Sequence, residues 1–278
     1  MQTLLQKVHV DPQHSFACRT YRTPEFETSW HTHEEFELIS IVEGTGTAMI
    51  GDYVGAYSPG DSFFIAGNLP HWFRKADSKQ IGAAKVLQCK PELLLEAFDG
   101  FPEWKGMQQF LQKKDAIALE GKLLQSVPLG LDKITAEQGF QRMLLLLQMI
   151  LDLATSKEYK VLSRNFNATN ERTNPAIEKI IAYSFKHFLE PISLSEIASV
   201  AEMSVPGFCR FFKKNIKKTY FNFLQELRIG HACKLLNDTE KPILEICYDS
   251  GYNSWAHFSK QFKQIKGMAP SAYRKQFI

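Results

Sequence analysis

Polar and aromatic residues near the N-terminus have the types that recognise a small ligand. His33, Glu37 and His71 offer hydrogen-bond donors and acceptors, while Trp30 and Trp72 offer flat apolar faces. Aromatic faces beside a few hydrogen-bonding groups suit a sugar or another small polar metabolite. The sequence therefore predicts an effector pocket, with burial of these aromatic rings in the core as the open alternative.

A second group of residues has the types that bind nucleic acid. In the segment Val205–Ile216 three phenylalanines recur at helical spacing, and Arg210, Lys213 and Lys214 fall on the other side of that helix. A guanidinium can grip guanine O6 and N7 at once, whereas lysines mostly contact phosphates. This pattern predicts a helix that presents a basic face to DNA.

The elements around this helix have the pattern of a helix-turn-helix unit. Ser193 with Glu196 predicts a capping box at the start of one helix, and Glu202-Met203-Ser204 predicts a tight turn before the basic helix. The same order recurs from Ile243 to Ile265, with Ser250-Gly251-Tyr252 as the turn and Asn253 or Ser254 as the next cap. Two helices joined by a tight turn are the arrangement that reads a major groove.

These residues resemble a known family. From Ile243 to Arg274 the chain runs I-x-x-I-C-Y-x-x-G-Y-x-x-x-x-x-F-x-x-x-F-K-x-x-x-G-x-x-P-x-x-Y-R. Over about residues 175–277 it is similar to the DNA-binding domain of AraC/XylS-family regulators. Glu202 departs from the family pattern, because a small residue or glycine is frequent at that turn, and a slight change of turn geometry is expected. The helix between the two units, residues 221–237, matches as well, at Arg228, Ala232, Leu235 and Leu236.

The resemblance implies that the outer face of the second helix in each unit enters a major groove, in grooves about one helical turn apart. Arg210 is the leading candidate for a base contact, and the lysines at 213, 214 and 263 are expected at phosphates. Two alternatives stay open: Trp255 as part of the core, and any single lysine as a solvated charge. The predicted DNA-binding residues are Pro206, Cys209, Arg210, Lys213, Lys214, Ser254, Trp255, Ala256, Ser259, Lys260 and Lys263.

The N-terminal part resembles the cupin domain. His31-Thr-His33-Glu-Glu-Phe-Glu37, followed by Gly44, has the spacing of the first cupin motif, and Gly60-Asp61 with Asn68-Leu-Pro-His71 is similar to the second. Three positions depart from the motifs: Glu25 and Asn68 replace glycines, and Ala66 replaces a proline. The resemblance implies a small barrel over about residues 30–85.

Metal binding is one implication of that resemblance. In cupin enzymes the equivalents of His31, His33, Glu37 and His71 hold a divalent metal, because three imidazoles and a carboxylate suit Fe, Mn, Ni or Zn. The eroded second motif instead favours a polar pocket without metal or cofactor. Ordinary hydrogen-bonded barrel residues are a third possibility. The predicted effector-pocket residues are Trp30, His31, His33, Glu37, His71 and Trp72.

Helical spacing begins after Pro91, in Glu92–Phe98, Glu103–Lys114 and Ala136–Ala154. Thr135 with Gln138 predicts a capping box for the last of these helices. Its broad apolar stripe requires burial on more than one side, either in the core or against a second subunit.

The fold class predicted from these segments is α+β: an N-terminal cupin-like β-barrel with a helical extension, and a C-terminal all-α domain with two helix-turn-helix units. The predicted boundaries are 1–90 for the effector-sensing barrel, 91–160 for a helical dimerisation region, 161–174 for a linker and 175–278 for the DNA-binding domain.

Charge and cysteine usage fit this division. Of 33 Lys+Arg and 30 Asp+Glu, residues 175–278 hold 15 and 9, a balance of +6, and residues 1–174 hold 18 and 21, a balance of −3. A basic C-terminal block suggests an anionic partner. Five scattered cysteines, without a C-x-x-C pair, favour a reducing compartment, and no apolar run reaches the ~20 residues of a membrane span.

We therefore expect a cytoplasmic, non-enzymatic transcription regulator that binds double-stranded DNA and responds to a small polar metabolite such as a sugar. A homodimer and contact with RNA polymerase are further expectations from the resemblance. Two rival hypotheses are a metal-dependent cupin enzyme with a DNA-binding tail, and a regulator without any effector.

Overall fold

The computed structural model describes residues 8–24, 30–76, 79–164 and 175–275. The chain divides into two compact units, one formed almost entirely by residues 4–170 and the other by residues 171–278. We call them the sensor unit and the reader unit. None of the described helices combines the length and apolar character needed to cross a membrane.

The sensor unit contains two antiparallel sheets. The larger is six-stranded, in the order β1-β7-β2-β5-β8-β9, and the smaller is three-stranded, in the order β4-β3-β6. The strands are Ala17–Thr23 (β1), Phe36–Glu43 (β2), Gly46–Ile50 (β3), Tyr53–Tyr57 (β4), Ser62–Ile65 (β5), His71–Lys75 (β6), Gly82–Cys89 (β7), Ala116–Leu119 (β8) and Tyr159–Ser163 (β9).

The central strand β2 shows why both faces of the large sheet are buried. Phe36 and Leu38 join a core shared with the helices, whereas Ile39 and Ile41 join the core between the two sheets. Successive strand residues point to opposite faces, so one strand supplies two cores. Glu37 falls on the same face as Ile39 and is placed by that alternation inside the sandwich.

The sheet extends beyond the predicted barrel segment 1–90. Strand β8 pairs with β5, and β9 pairs with β8, so residues from the predicted helical region and linker complete the sheet. Residues 161–163 of the predicted linker end β9, and residues 165–174 lie outside the described residues. Strand β8 could not be predicted from the sequence for two reasons. It pairs with β5, which is distant in the chain, and the four residues Ala116–Leu119 are too few for their hydrophobic pattern to distinguish a strand from the helices on either side.

Helices cover the outer face of the large sheet at Pro91–Ala97 (α1), Lys105–Gln112 (α2), Leu123–Ala136 (α3) and Gly139–Thr155 (α4). Helices α1, α2 and α4 confirm the three predicted helical segments, although α4 begins only at Gly139, whereas α3 is a helix that the sequence pattern did not indicate. Leu146, Ile150 and Leu153 of α4 are buried in the shared core. The predicted Thr135–Gln138 capping box is wrong: Thr135 lies within α3 and its hydroxyl donates to the Leu131 carbonyl (2.8 Å), and Gln138 is itself the uncapped residue before α4.

The reader unit is all helical in its described part. Its helices are Pro175–His187 (α5), Leu194–Val200 (α6), Val205–Ile216 (α7), Tyr220–Asp238 (α8), Ile243–Asp249 (α9), Trp255–Lys266 (α10) and Pro270–Arg274 (α11). The predicted capping box of Ser193 and Glu196 is formed at the start of α6. The two predicted helix-turn-helix units are α6–α7 and α9–α10, and α8 is the single helix between them.

The second helices of the two helix-turn-helix units, α7 and α10, repeat each other at an offset of fifty positions. Ser204 and Ser254 cap α7 and α10 by accepting a hydrogen bond from a backbone N–H three residues on. Within these helices Phe208 and Phe258 are fully buried, and Phe212 and Phe262 are as well. The same cap and the same buried spacing give both helices the same inner and outer faces.

The turn before α7 carries a backbone conformation that favours glycine. Glu202 has φ +58°, and the matching residue in the second unit, Gly251, has φ +78°. The residue after each turn residue donates a backbone hydrogen bond to the preceding helix, Met203 to Ala198 and Tyr252 to Cys247. Glu202 therefore adopts the same turn conformation as Gly251, although a positive φ is unfavourable for glutamate. Its side chain forms a surface salt bridge with Lys179 at 2.7 Å.

We expect Glu202→Gly to raise the free energy of unfolding by about 1 kcal/mol, because glycine adopts the left-handed conformation without the steric cost of about 1–2 kcal/mol that an L-residue bears, and only an exposed ion pair is lost. Scanning calorimetry of the full chain measures the change. The matched opposite variant, Gly251→Glu, destabilises by at least about 2 kcal/mol, since a Cβ there lies 2.8 Å from the Leu189 carbonyl oxygen. A loss of stability in Glu202→Gly contradicts this account of the turn.

Candidate DNA interface and sensor site

The outer face of α7 gathers the residues predicted to contact DNA in the first unit. Pro206, Cys209, Arg210, Lys213 and Lys214 are all exposed. Their spacing of three, four, seven and eight residues places them on one side of the helix, opposite the buried side. This face is polar and cationic, as the sequence predicts.

The outer face of α10 repeats the arrangement in the second unit. Ala256, Lys260 and Lys263 are exposed, and Ser259 is half-buried among them. Ser254 caps the helix, so its hydroxyl is engaged by the His257 N–H (3.5 Å). Arg210 in α7 and Lys260 in α10 occupy the same repeat position.

Trp255 combines the two roles that the sequence leaves open. Its side chain is 43% exposed, yet its ring lies 5.6 Å from the Phe258 ring, centroid to centroid. One edge therefore packs on the core while the other reaches the surface at the start of α10.

A half-buried arginine joins elements of the reader unit that lie far apart in the chain. From α8, Arg228 donates through Nε to the Phe188 carbonyl (2.7 Å) and through Nη2 to the Glu190 carbonyl (2.8 Å). Its guanidinium also lies 5.8 Å from the ring of Tyr252 in the second turn. Arg228 thus positions the second turn against the segment before α6, which explains its place among the residues that match the family.

The predicted sensor residues come together inside the sandwich. His33 Nε2 lies 3.2 Å from Glu37 Oε2, and His71 Nε2 lies 3.8 Å from the same oxygen. The His31 ring stacks edge-on to His71, with centroids 4.2 Å apart. All four side chains are at least 95% buried, so the structure forms one enclosed ionisable cluster.

Backbone carbonyls orient two of these imidazoles. His33 Nδ1 lies 2.9 Å from the Glu35 carbonyl, and His71 Nδ1 lies 2.8 Å from the Leu69 carbonyl. Each Nδ1 must therefore carry a proton, which leaves both Nε2 atoms facing Glu37. Burial opposes ionisation of Glu37, but the hydrogen bond with His33 and the electrostatic attraction of His71 and His33 outweigh it and hold the pKa of this carboxyl well below its usual range.

Gln88 is a member of the cluster that sequence reasoning missed. Its Nε2 donates to Glu37 Oε2 (2.7 Å), and Gln88 is the direct cross-strand partner of Glu37 in the β2–β7 pair. A polar residue within the apolar run Gly82–Cys89 was the available signal, but its partner depends on the register between strands.

Both predicted pocket tryptophans are buried, and Trp72 does not share the face of His71. Trp72 follows His71 in β6, so strand alternation directs it to the opposite face of the three-stranded sheet, level with Met49. Trp30 is buried immediately before His31. Beside the cluster, the space between the sheets is filled by apolar side chains such as Ile39, Phe63 and Phe73.

The donor set of the cluster fits a divalent transition metal. The ligand atoms of His31, His33 and His71 lie within 4.8 Å of one another. His71 Nε2 is buried without a hydrogen-bond partner among the described residues. Imidazoles oriented by backbone carbonyls through the opposite nitrogen are the usual support of metal-binding histidines.

Comparison with known proteins follows the same division of the chain. Residues 197–276 match a helix-turn-helix domain model and residues 20–83 match a cupin domain model. The transcriptional activator RhaS of Enterobacter sp. (strain 638) is 24% identical over 98% of this chain and 97% of its own length. RhaR of Escherichia coli (strain K12), also a transcriptional activator, is 24% identical over 91% and 89%.

Among solved structures, a transcriptional regulator with an AraC-type DNA-binding domain from Chromobacterium violaceum is 27% identical. It covers 37% of this chain and 91% of its own, with a TM-score of 0.35. The chain carries a cupin domain followed by an AraC-type helix-turn-helix domain, and it is similar over nearly its whole length to the transcriptional activators RhaS and RhaR. The matched helix-turn-helix range spans α7 and α10.

We expect Gln88→Leu to lower the free energy of unfolding by about 2 kcal/mol, because the buried Glu37 carboxylate loses the 2.7 Å hydrogen bond that Gln88 donates. Urea denaturation followed by tryptophan fluorescence provides the measurement. The control Gln148→Leu removes an exposed amide that donates to Asp152 (2.8 Å) and costs less than about 0.5 kcal/mol. Equal effects of both variants contradict a supporting role for Gln88.

Proposed function

We propose that this protein is a cytoplasmic regulator that reads specific double-stranded DNA with α7 and α10 together and contacts RNA polymerase at its promoters. The observation that supports this is the repeat: both helices present a polar, basic outer face from the same cap and the same buried phenylalanines. Two matched reading helices on a single chain suit two successive major-groove segments.

Individual roles follow from side-chain chemistry. Arg210 reads a base, because its guanidinium forms two parallel hydrogen bonds with guanine. Lys260 occupies the same position in α10 with a single cationic head, which discriminates less between bases. Lys213, Lys214 and Lys263 bind phosphates, and the exposed edge of Trp255 contacts the DNA surface.

We expect selection from randomised duplex DNA to enrich one motif with two elements about a helical turn apart. Arg210→Ala costs about 1–3 kcal/mol of affinity and relaxes one position of the motif, whereas Lys263→Ala weakens all sequences alike and lowers the salt slope by about one. Lys160→Ala, an exposed charge of the sensor unit, is the matched control. Enrichment of no sequence at low salt, or equal effects of the three variants, contradicts the proposal.

We also propose that α4 forms a homodimer interface. Phe140, Leu144 and Leu151 are exposed large apolar residues, and Leu147 is half-buried between them on the same side. Their spacing of four, three and four residues is that of a coiled-coil seam. A second copy of the same helix, meeting it about a two-fold axis, offers a matching seam.

The double substitution Leu144→Glu and Leu151→Glu is expected to convert the dimer to a folded monomer. The apolar contacts of the two leucines are lost, and the introduced carboxylates repel those of the second subunit across the two-fold axis. Sedimentation equilibrium of the full chain measures the mass, and circular dichroism checks folding. Leu244→Glu changes an equally exposed leucine of the reader unit and leaves the mass unchanged. A dimer that survives the double substitution excludes α4 as the interface.

The cluster of His31, His33, Glu37 and His71 is the proposed ligand site of the sensor unit. A small polar metabolite such as a sugar is the first candidate, because the cluster supplies donors and acceptors inside an otherwise apolar sandwich. Calorimetry with a panel of monosaccharides tests this candidate, and the absence of binding heat across the panel counts against it.

A divalent metal is the second candidate, and it is favoured by His71, whose Nδ1 is held by a backbone carbonyl and whose Nε2 has no hydrogen-bond partner among the described residues. Such an ion would be held by His31, His33, Glu37 and His71 and would act as a structural or sensing ligand. We expect wild-type protein to take up one equivalent of Zn²⁺ or Ni²⁺ with a rise in Tm. His71→Gln abolishes this uptake, and His257→Gln, an exposed histidine of the reader unit, retains it. Metal uptake by His71→Gln excludes the site.

A further inference from the structure

A cleft of about 590 Å³ lies in the sensor unit, outside the histidine cluster. Residues 9–19 form one wall and the junction between α3 and α4 forms the other, with Phe16, Arg19, Gln138, Gly139 and Arg142 among its lining. Its volume is within the range of small-molecule sites.

Arg142 is the unusual residue in this cleft. Its side chain is 94% buried, yet its Nε has no hydrogen-bond partner among the described residues. The guanidinium lies over the Phe16 ring, 5.0 Å from the centroid. A buried cation without a carboxylate or carbonyl partner is strongly disfavoured, and no described residue supplies Nε with such a partner.

The N-terminus of α4 adds to the positive potential. This helix has 17 residues, its N-cap Gln138 provides no side-chain acceptor, and its first turn contains no acidic residue. The first backbone N–H groups of a helix lack intrahelical partners and favour anions. Arg142 lies within that first turn, where a cation is unfavourable unless an anion is bound.

The opposite wall contributes Arg19, which donates to the His9 carbonyl (2.5 Å) and so is fixed at the cleft. Asp11 and Glu137 are the carboxylates in the lining. Both are exposed, and Asp11 Oδ1 accepts from the Gln13 N–H (2.8 Å). The buried part of the cleft is therefore cationic.

We propose that this cleft binds a small anion bearing a carboxylate or phosphate group, held by the Arg142 guanidinium and the free N–H groups at the start of α4. The charged head pairs with Arg142, and the Phe16 side of the cleft accommodates an apolar portion. An anion bound in this cleft links residues 9–19 to the start of α4. An effect on dimerisation rests on the proposed α4 interface, whereas binding itself does not.

Calorimetric titration of the full chain at constant ionic strength tests the proposal, with inorganic phosphate and citrate as separate probes. Saturable binding to one site is expected, at least about tenfold weaker in Arg142→Met because a charge-assisted bidentate contact is lost. Lys160→Gln, an exposed cation of the same unit, retains wild-type affinity. Binding of phosphate alone indicates a phosphate ester, binding of citrate alone indicates a carboxylate, and either supports the site.

A second variant keeps the test decisive if Arg142→Met does not fold. Gln138→Asp supplies a carboxylate at the N-cap, so it raises the Tm without added anion and weakens binding of both probes. Absence of binding by wild-type protein, or equal binding by wild-type, Arg142→Met and Gln138→Asp, overturns the proposal. Each result is independent of DNA binding and of the histidine cluster.

Discussion

The sensor unit depends on one constraint: both faces of its six-stranded sheet are buried. Helices α1–α4 cover one face and the three-stranded sheet covers the other, so every residue of β2 from Phe36 to Ile41 is removed from water. Alternation then decides which core receives each side chain. It directs Glu37 into the sandwich, where a lone carboxylate is costly, and the surrounding imidazoles and Gln88 are the partners that make its burial tolerable.

In the reader unit the corresponding constraint is that both helix-turn-helix halves bury the same face of their second helix. Serine caps, left-handed turn residues and pairs of buried phenylalanines recur in both halves, and Arg228 connects the second turn to the segment before α6. Repetition of the buried face implies repetition of the outer face. A chain in which the basic residues alone recurred would lack the fixed helix orientation that groove recognition needs.

The sensor unit and the reader unit differ in where their cationic side chains lie. Cations of the reader unit lie on exposed helix faces, where they remain solvated until a polyanion displaces counterions. Arg142 of the sensor unit is instead buried at a helix N-terminus, where solvation is lost and the local dipole opposes it. The first arrangement suits a long, uniformly charged partner, and the second suits a small anion that enters a defined cleft.

The sequence by itself determined the local elements and the family. Caps, helical periodicity and turn residues predict α6–α7 and α9–α10, and the H-x-H-x-x-x-E spacing predicts His33 beside Glu37, because each of these signals spans a few neighbouring residues. Tertiary structure alone decided the rest. Strands β8 and β9, the Gln88 partner of Glu37, the position of Trp72 on the face opposite to His71 and the buried Arg142 all depend on strand register or on contacts between distant segments. Such contacts leave no periodic signal in a single chain, since packing and not local propensity selects them.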